Sequence, residues 1–244
     1  MPGSLIVGRS NNGKTTLVEY FRDKTNPPED PEAECSRFPV VLIEAPPTPT
    51  ETGIYRYLLE AVRVPASTQR GPESLFIQIL SVFPALGVQM IICEEIHNTL
   101  ACSGKQQRRA LNTLKFLTNR LGISLVLTGT RDAFNALEVD DQSATRFPPV
   151  WLPQWKLGQE YKRLLLSIER FLPLRNPSYI SQQPELMNSI LTMSDGTIGG
   201  ICDLVNAAAE VAIRDQSEAI TPSTLKKIKW IPLREGRKHA MTAL

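Results

Sequence analysis

The sequence predicts an α/β fold, a five-stranded parallel sheet between helices in a P-loop domain of three layers, followed by a small helical domain. Three observations predict it. Short runs of Val, Ile and Leu recur along the first 153 residues, amphipathic segments of helical period separate them, and beyond Pro153 only helical patterns remain. Strands that are apolar almost throughout belong to a sheet buried on both faces, and alternation with helices makes that sheet parallel.

The first strand, Ser4–Val7, feeds the Gly-rich segment Gly8-Arg9-Ser10-Asn11-Asn12-Gly13-Lys14-Thr15. A helix from Lys14 to about Asp23 follows, with Leu17, Val18 and Phe21 at helical spacing. Residues 25–39 are rich in Pro and Glu and read as a surface loop. Val40–Ile43 is the second strand, closed by Pro46, Pro47 and Pro49. Thr52–Val62 and Pro72–Phe83 are helices on the spacing of Ile54, Leu58, Leu59 and Val62, then Leu75, Ile79 and Val82. Between them lies a polar, basic loop, Arg63–Gly71. Val88–Cys93 is a third strand that ends in Glu94-Glu95, Gln106–Arg120 a helix, and Ser124–Leu127 a fourth strand that ends in Thr128-Gly129-Thr130. Pro149–Leu152 is a short fifth strand. The segments Gln159–Leu172, Pro184–Met193, Ile198–Arg214 and Thr221–Trp230 form the helical domain. The expected division is therefore 1–153 for the α/β domain, 154–230 for the helical domain and 231–244 for a basic tail.

Composition narrows the function classes. With 244 residues, 42% hydrophobic and 21% charged, the chain has the balance of a soluble globular protein, and no apolar run reaches the ~18 residues of a membrane span. The opening residues lack the basic and apolar regions of a signal peptide, so a cytoplasmic location is expected. Cys35, Cys93, Cys102 and Cys202 are scattered without a Cys-x-x-Cys pair, which argues against a zinc site or a disulfide framework. The net charge of +2 does not by itself imply a nucleic-acid partner.

The chemistry concentrates at the ends of the strands. In Gly8–Thr15 the glycines allow the backbone N–H groups to turn toward phosphate oxygens, and the following helix adds its positive end. Lys14 then reaches the β- and γ-phosphates of ATP, the Thr15 hydroxyl binds Mg²⁺, and Thr16 completes the nucleotide-binding positions. Glu94 and Glu95 leave the carboxyl end of the third strand, where ligands of such sheets sit. Glu94 would hold Mg²⁺ where an Asp is usual, and Glu95 would orient and deprotonate the attacking water. Thr128 or Thr130 is placed to bond the γ-phosphate or that water, with an ordinary turn residue as the alternative. Arg146 is placed to reach the nucleotide of a neighbouring subunit, with a solvated surface arginine as the alternative. His97 reads as a turn residue, and Trp151, Trp155 and Trp230 as core or domain-interface residues.

The set Leu5–Gly8 with the Asn-Asn-Gly-Lys-Thr-Thr loop, Ile92–Asn98, Gly129–Ala133, Arg146-Phe147 and Leu152-Pro153-Gln154-Trp155 resembles the TniB/TnsC family of transposition ATPases, of the AAA+ class. The resemblance runs from Ser4 to about Ile228. It implies an ATP- and Mg²⁺-dependent regulator that assembles as rings or helical filaments on double-stranded DNA. It also implies recruitment of a DDE transposase and a target-selection protein of the TniQ type, and disassembly on hydrolysis. On that basis Arg63, Thr68 and Arg70 would contact DNA phosphates without sequence preference, and Lys105, at the head of the basic cluster Lys105–Arg109, is a further candidate, with a subunit interface or a solvated helix face as the alternatives. Where many AAA+ proteins carry an arginine at the start of the third lid helix, this chain has Gly196–Gly200, so closure of the lid would rest on packing more than on charge. Two other readings stay open: a DNA-independent NTPase switch for a protein partner, and a nucleotide-binding scaffold that has lost hydrolysis.

Overall fold

The computed structural model describes residues 3–28, 36–66, 71–96, 98, 104–138 and 145–230, with backbone alone at 104, 105 and 107. Thr68, Arg70, His97 and the tail 231–244 lie outside the described residues, as does the side chain of Lys105. The chain divides into two compact units, Met1–Ser10 with Lys14–Leu152, and Asn11–Gly13 with Pro153–Leu244. The strands and the helices between them belong to the first.

In the first unit the order is β1 (Gly3–Val7), α1 (Lys14–Thr25), β2 (Val40–Glu44), α2 (Glu51–Ala61), α3 (Pro72–Ala85), β3 (Met90–Glu94), α4 (Gly104–Leu121), β4 (Ser124–Gly129), α5 (Arg131–Glu138) and β5 (Pro149–Trp151). The five strands pair in the order β2-β3-β4-β1-β5, and every pairing is parallel. Side chains alternate across the sheet. Leu5, Val7, Val41, Ile43, Ile91, Cys93, Leu125 and Leu127 enter one core with Leu58, Leu59, Leu75, Ile79, Phe83, Leu114 and Leu117 of α2, α3 and α4. On the other face Val40 and Ile92 meet Val18 of α1, with Ile6, Leu42, Met90 and Val126 packed around them. Helices therefore cover both faces, which is why the strands carry apolar residues at odd and even positions alike.

Some local features differ from expectation: the helices expected over Gln159–Leu172 and Thr221–Trp230 span Gln159–Glu169 and Pro222–Lys227. The third strand begins at Met90 rather than Val88, because Gln89 precedes the ladder and Val88 instead bonds back to the carbonyl of Phe83 at 3.0 Å. Helix α5 was not expected. It is eight residues long, and Ala133 and Leu137 are the ones it buries. The edge strand β2 is closed at its first residue by Asn26, whose amide accepts from Val40 N at 2.8 Å and donates to Val40 O at 2.9 Å. A side-chain amide there pairs backbone groups that an edge strand leaves open.

The second unit contains α6 (Gln159–Glu169), a 3₁₀ turn (Ile180–Gln182), α7 (Pro184–Met193), α8 (Ile198–Arg214) and α9 (Pro222–Lys227). Its core is Tyr161, Leu165, Ile180, Leu186, Met187, Ile190, Ile201, Leu204, Val205, Ala208, Ile220 and Leu225. Polar groups in it are paired: the Tyr161 hydroxyl donates to Met187 O at 3.2 Å and Trp230 Nε1 to Met193 O at 2.7 Å. Thr197 caps α8, accepting from Gly200 N, and Thr221 with Thr224 forms a reciprocal capping box on α9. The glycine run at the head of α8 has a steric reason. A Cβ at Gly199 would collide with the Asn11 side chain, and a Cβ at Gly200 would lie 2.6 Å from Ser194 O.

Leu117 is fully buried where α4 meets the sheet. Leu117→Ala is expected to lower the stability of the α/β unit by roughly 2–5 kcal/mol, as a buried large-to-small change does. Urea unfolding of the two proteins measures it.

Candidate nucleotide site

The parallel register brings the ends of four strands to one edge of the sheet. Val7 lies opposite Gly129, and Glu44 opposite Glu94. The loops that leave β1, β3 and β4 carry candidate site residues read from the sequence.

The loop after β1 starts with Gly8, whose N–H donates to Gly129 O at 3.1 Å. A Cβ on Gly8 would stand 3.2 Å from Leu152 Cβ and 3.3 Å from Lys14 Cγ, so the backbone passes closely there. Arg9 and Ser10 are exposed. Lys14 is only 4% exposed, and its Nζ donates to Gly8 O at 3.2 Å and Arg9 O at 2.9 Å. Burial holds its pKa below the ordinary lysine value, while the charges of Glu95 and then Glu94 act in the opposite direction. The ammonium thus caps carbonyls of its own loop. Thr15 and Thr16 are exposed in the first turn of α1.

The loop tip Asn11–Gly13 belongs to the second unit. Asn11 and Gly13 have φ of 61° and 77°, in the left-handed region that a glycine adopts freely and an asparagine tolerates. Within that unit Gly199 N donates to Asn11 O at 3.0 Å, Asn11 Nδ2 to Asp203 Oδ2 at 3.3 Å, and Asn12 Nδ2 to Pro153 O at 3.2 Å.

Glu94 ends β3 and is 8% exposed. Its Oε1 is buried and has no hydrogen-bond partner among the described residues. Burial raises the pKa of its carboxyl group; a hydrogen bond from Thr15 opposes this, and the neighbouring charges of Glu19, Glu95 and Glu44 add to it. An unpartnered buried carboxylate oxygen, on a group that also meets the Thr15 hydroxyl, is the donor set a hard divalent cation takes. Thr15 and Glu94 therefore fit Mg²⁺.

Glu95 is in the left-handed region at φ 51°, and its N–H donates to Thr128 Oγ1 at 3.4 Å. Thr128 is fully buried. Its hydroxyl oxygen thus supports the backbone of Glu95, a role the sequence reading did not assign to it. The next residue, Gly129, has no room for a side chain: a Cβ would lie 2.7 Å from Ala133 Cβ. Thr130 precedes α5 and accepts at its carbonyl from Phe134 N at 3.2 Å.

Two residues at this edge were given no role from the sequence. Asn98 N donates to Glu95 O at 2.8 Å, and Asn98 Nδ2 donates to Glu44 Oε1 at 3.2 Å. An acid at the last position of a strand beside the Glu94 strand was the available signal for Glu44. Asn98 lay within the Ile92–Asn98 motif, but nothing there assigned it a partner, because the turn that aims it depends on tertiary contacts.

Arg146 lies just before β5, and its Nη2 donates to Asn119 Oδ1 of α4. Arg63 is exposed and left-handed, at φ 59°. In α4 Arg109 pairs with Glu51 at 3.1 Å, whereas Arg108 is exposed. Trp151 is half exposed and meets Phe134 edge-on at 5.1 Å, while Trp155 and Trp230 pack on the core of the second unit.

A family model described as the bacterial TniB protein matches residues 1–157. The chain belongs to the TniB family. No curated protein matches its sequence. Among solved structures, this TniB-family chain is similar to the ORC2 protein of Aeropyrum pernix in ADPNP–ADP complexes, at 14% identity and a TM-score of 0.68, over 93% of this chain and 61% of that one. It is similar to the Aeropyrum pernix ORC1 protein in complex with DNA, at 16% identity and a TM-score of 0.63, over 92% and 58%. Cdc6p of Pyrobaculum aerophilum matches at 17% identity and a TM-score of 0.64, over 91% and 59%. The TniB-family chain thus spans about three-fifths of the length of these proteins and shares their fold. Among its described residues no single helix is long and apolar enough to cross a membrane.

The raised pKa of Glu94 has a consequence for stability. Between the ordinary carboxylate value and the raised one, the folded protein keeps a proton that the unfolded chain has lost, so stability falls as pH rises through that interval. Glu94→Gln removes the buried charge. The metal-free variant is expected to be more stable than the parent near pH 8 and equal to it at about pH 4, where both chains are protonated. Adding Mg²⁺ with ATP should stabilise the parent more than the variant. Chemical unfolding at the two pH values, with and without Mg²⁺ and ATP, measures both effects.

Proposed function

We propose that this TniB-family protein is a Mg²⁺-dependent ATPase that assembles on double-stranded DNA and regulates transposition. The observation that carries the nucleotide part is the presence, at one edge of the sheet, of buried Lys14 and of buried Glu94, one carboxylate oxygen of which has no hydrogen-bond partner among the described residues. A cation and a metal-ready acid are what a bound nucleoside triphosphate requires on its phosphates.

In this reading Gly8–Thr16 cradle the phosphates, and Lys14 exchanges its loop carbonyls for phosphate oxygens. Thr15 and Glu94 hold Mg²⁺, which supplies charge neutralisation on the phosphates. Glu95 accepts a proton from the attacking water, and Thr128 fixes its backbone. Arg146 would leave Asn119 to face the nucleotide of a neighbouring copy, so the site would be completed by assembly. A repeated head-to-tail contact of this kind gives a ring when the rotation closes and a helical filament when it does not.

DNA binding rests on family membership and on the similarity to the DNA-bound ORC1 protein. We assign it to Arg63, Thr68, Arg70 and Lys105, through phosphates, because no base-reading array accompanies them in the sequence. Recruitment of a DDE transposase and of a TniQ-type partner, slow turnover and a cytoplasmic location complete the reading, on the family resemblance.

Two tests follow from these roles. Lys14→Ala should lose ATP binding by a hundredfold or so, since it removes the charge on the β- and γ-phosphates, whereas Glu95→Gln should bind ATP and lose turnover. Titration with a fluorescent ATP analogue and phosphate release measure the two; wild-type affinity in Lys14→Ala would sink the reading. For DNA, Arg63→Ala with Arg70→Ala should weaken binding about equally on unrelated duplexes and flatten its dependence on salt, with ATP affinity unchanged. Fluorescence anisotropy across a salt series reads the slope, and an unchanged slope would move the DNA face elsewhere.

A further inference from the structure

Glu95 occupies a backbone conformation that a glutamate does not favour, at φ 51°. Left-handed residues other than glycine are strained and persist only where their surroundings over-determine them. Here the surroundings come from both flanking strands. On one side Thr128 of β4 accepts from Glu95 N at 3.4 Å. On the other side the restraint is indirect: Asn98 N closes the turn onto Glu95 O at 2.8 Å, and Asn98 Nδ2 reaches Glu44 Oε1 at 3.2 Å. The register of β2 and β3 sets Glu44 opposite Glu94, and Ala45 N donates to Glu94 O at 2.8 Å, so the backbone at Glu44 is held by the sheet.

We propose that Glu44 is a positioning residue for hydrolysis, which acts through the Asn98 carboxamide to hold the turn that carries Glu95. The inference rests on the ATPase reading above and adds two residues to it. Glu44 touches neither of the assigned metal donors through a hydrogen bond; its bond runs to the turn. The carboxylate is the acceptor, the carboxamide is the donor, and β2 is the fixed anchor. Removing either partner cuts the side-chain tie between the turn and β2, so that the turn carrying Glu95 loses its anchor on that side. A general base must stand within hydrogen-bond reach of its water, and a small misplacement of a catalytic group lowers the rate steeply.

The test is a cycle of variants on the full chain, with ATP turnover, ATP affinity, thermal melting and amide hydrogen exchange measured for each. Glu44→Ala and Asn98→Ala are each expected to lower kcat about tenfold with KM for ATP changed less than about twofold, and the double variant to be no slower than either single one. Glu44→Gln keeps an acceptor oxygen and should retain most of the parent rate. Exchanging donor and acceptor, Glu44→Gln with Asn98→Asp, restores the bond with opposite polarity and should recover at least half of kcat. Exchange at the Asn98 amide should speed up in Glu44→Ala and slow again in the exchanged pair, while the melting temperature of the whole protein stays within a few degrees. Single variants that keep kcat within twofold, losses that multiply in the double variant, an effect on KM alone, or no recovery in the exchanged pair would each overturn the proposal. A parent with no turnover would overturn the hydrolysis reading and this inference together, and that result is distinct from an active parent with unaffected variants.

Discussion

The parallel register of the sheet is the constraint on which the site depends. Parallel strands all end at the same edge, so Val7, Glu44, Glu94 and Gly129 reach it together although they are far apart in sequence. Burial on both faces keeps that register single, because a slip of one residue would exchange Leu5, Val7, Ile91 and Cys93 with Ser4, Ile6, Met90 and Ile92 between the two faces. Each turn at this edge then meets its neighbours at close range, and the tight approaches at Gly8 and Gly129 are its direct expression.

Crowding at one edge also sets the electrostatics. The charges of Glu94 and Glu95 both act on Lys14, that of Glu95 acts on Glu94, and burial works against the charge of both Lys14 and Glu94. Among the described residues neither group is relieved by an ion pair. Lys14 turns to backbone carbonyls, and Glu94 keeps one oxygen without a partner. A site with two under-satisfied buried charges of opposite sign stabilises a ligand that brings both signs, as a phosphate chain with a divalent cation does. The same groups lower the stability of the free protein, which is the usual relation between a binding site and the fold that holds it.

Polar side chains do the fine positioning. Asn26 closes the exposed start of β2, Asn98 ties a turn to Glu44, and Asn119 receives Arg146. Asn11 and Asn12 each donate to an acceptor within the helical unit, Asp203 and Pro153 O. Asparagine suits these places because one short side chain offers both a donor and an acceptor, and it tolerates the left-handed backbone of turns.

Much of this was legible in the sequence, for reasons that are local. The Gly-rich loop between a strand and a helix, the apolar runs of the strands and the acidic pair at Glu94-Glu95 depend on residue type and spacing over a few positions, and those survive in the sequence unaltered. Helix α5 was not legible, since eight residues with two buried positions are too short for a periodic pattern to stand out. The roles of Thr128, Glu44 and Asn98 were not legible either. Each depends on which strand end lies beside which, with partners 33 and 54 residues apart in the chain. The grouping of Asn11–Gly13 with the helical unit rather than with the strand that precedes them is likewise a matter of contacts. The sequence by itself determined which chemical groups are available and roughly where the chain turns. Tertiary structure decided which of those groups stand within 3.5 Å of one another, because hydrogen bonds across strand ends are formed by register and not by spacing.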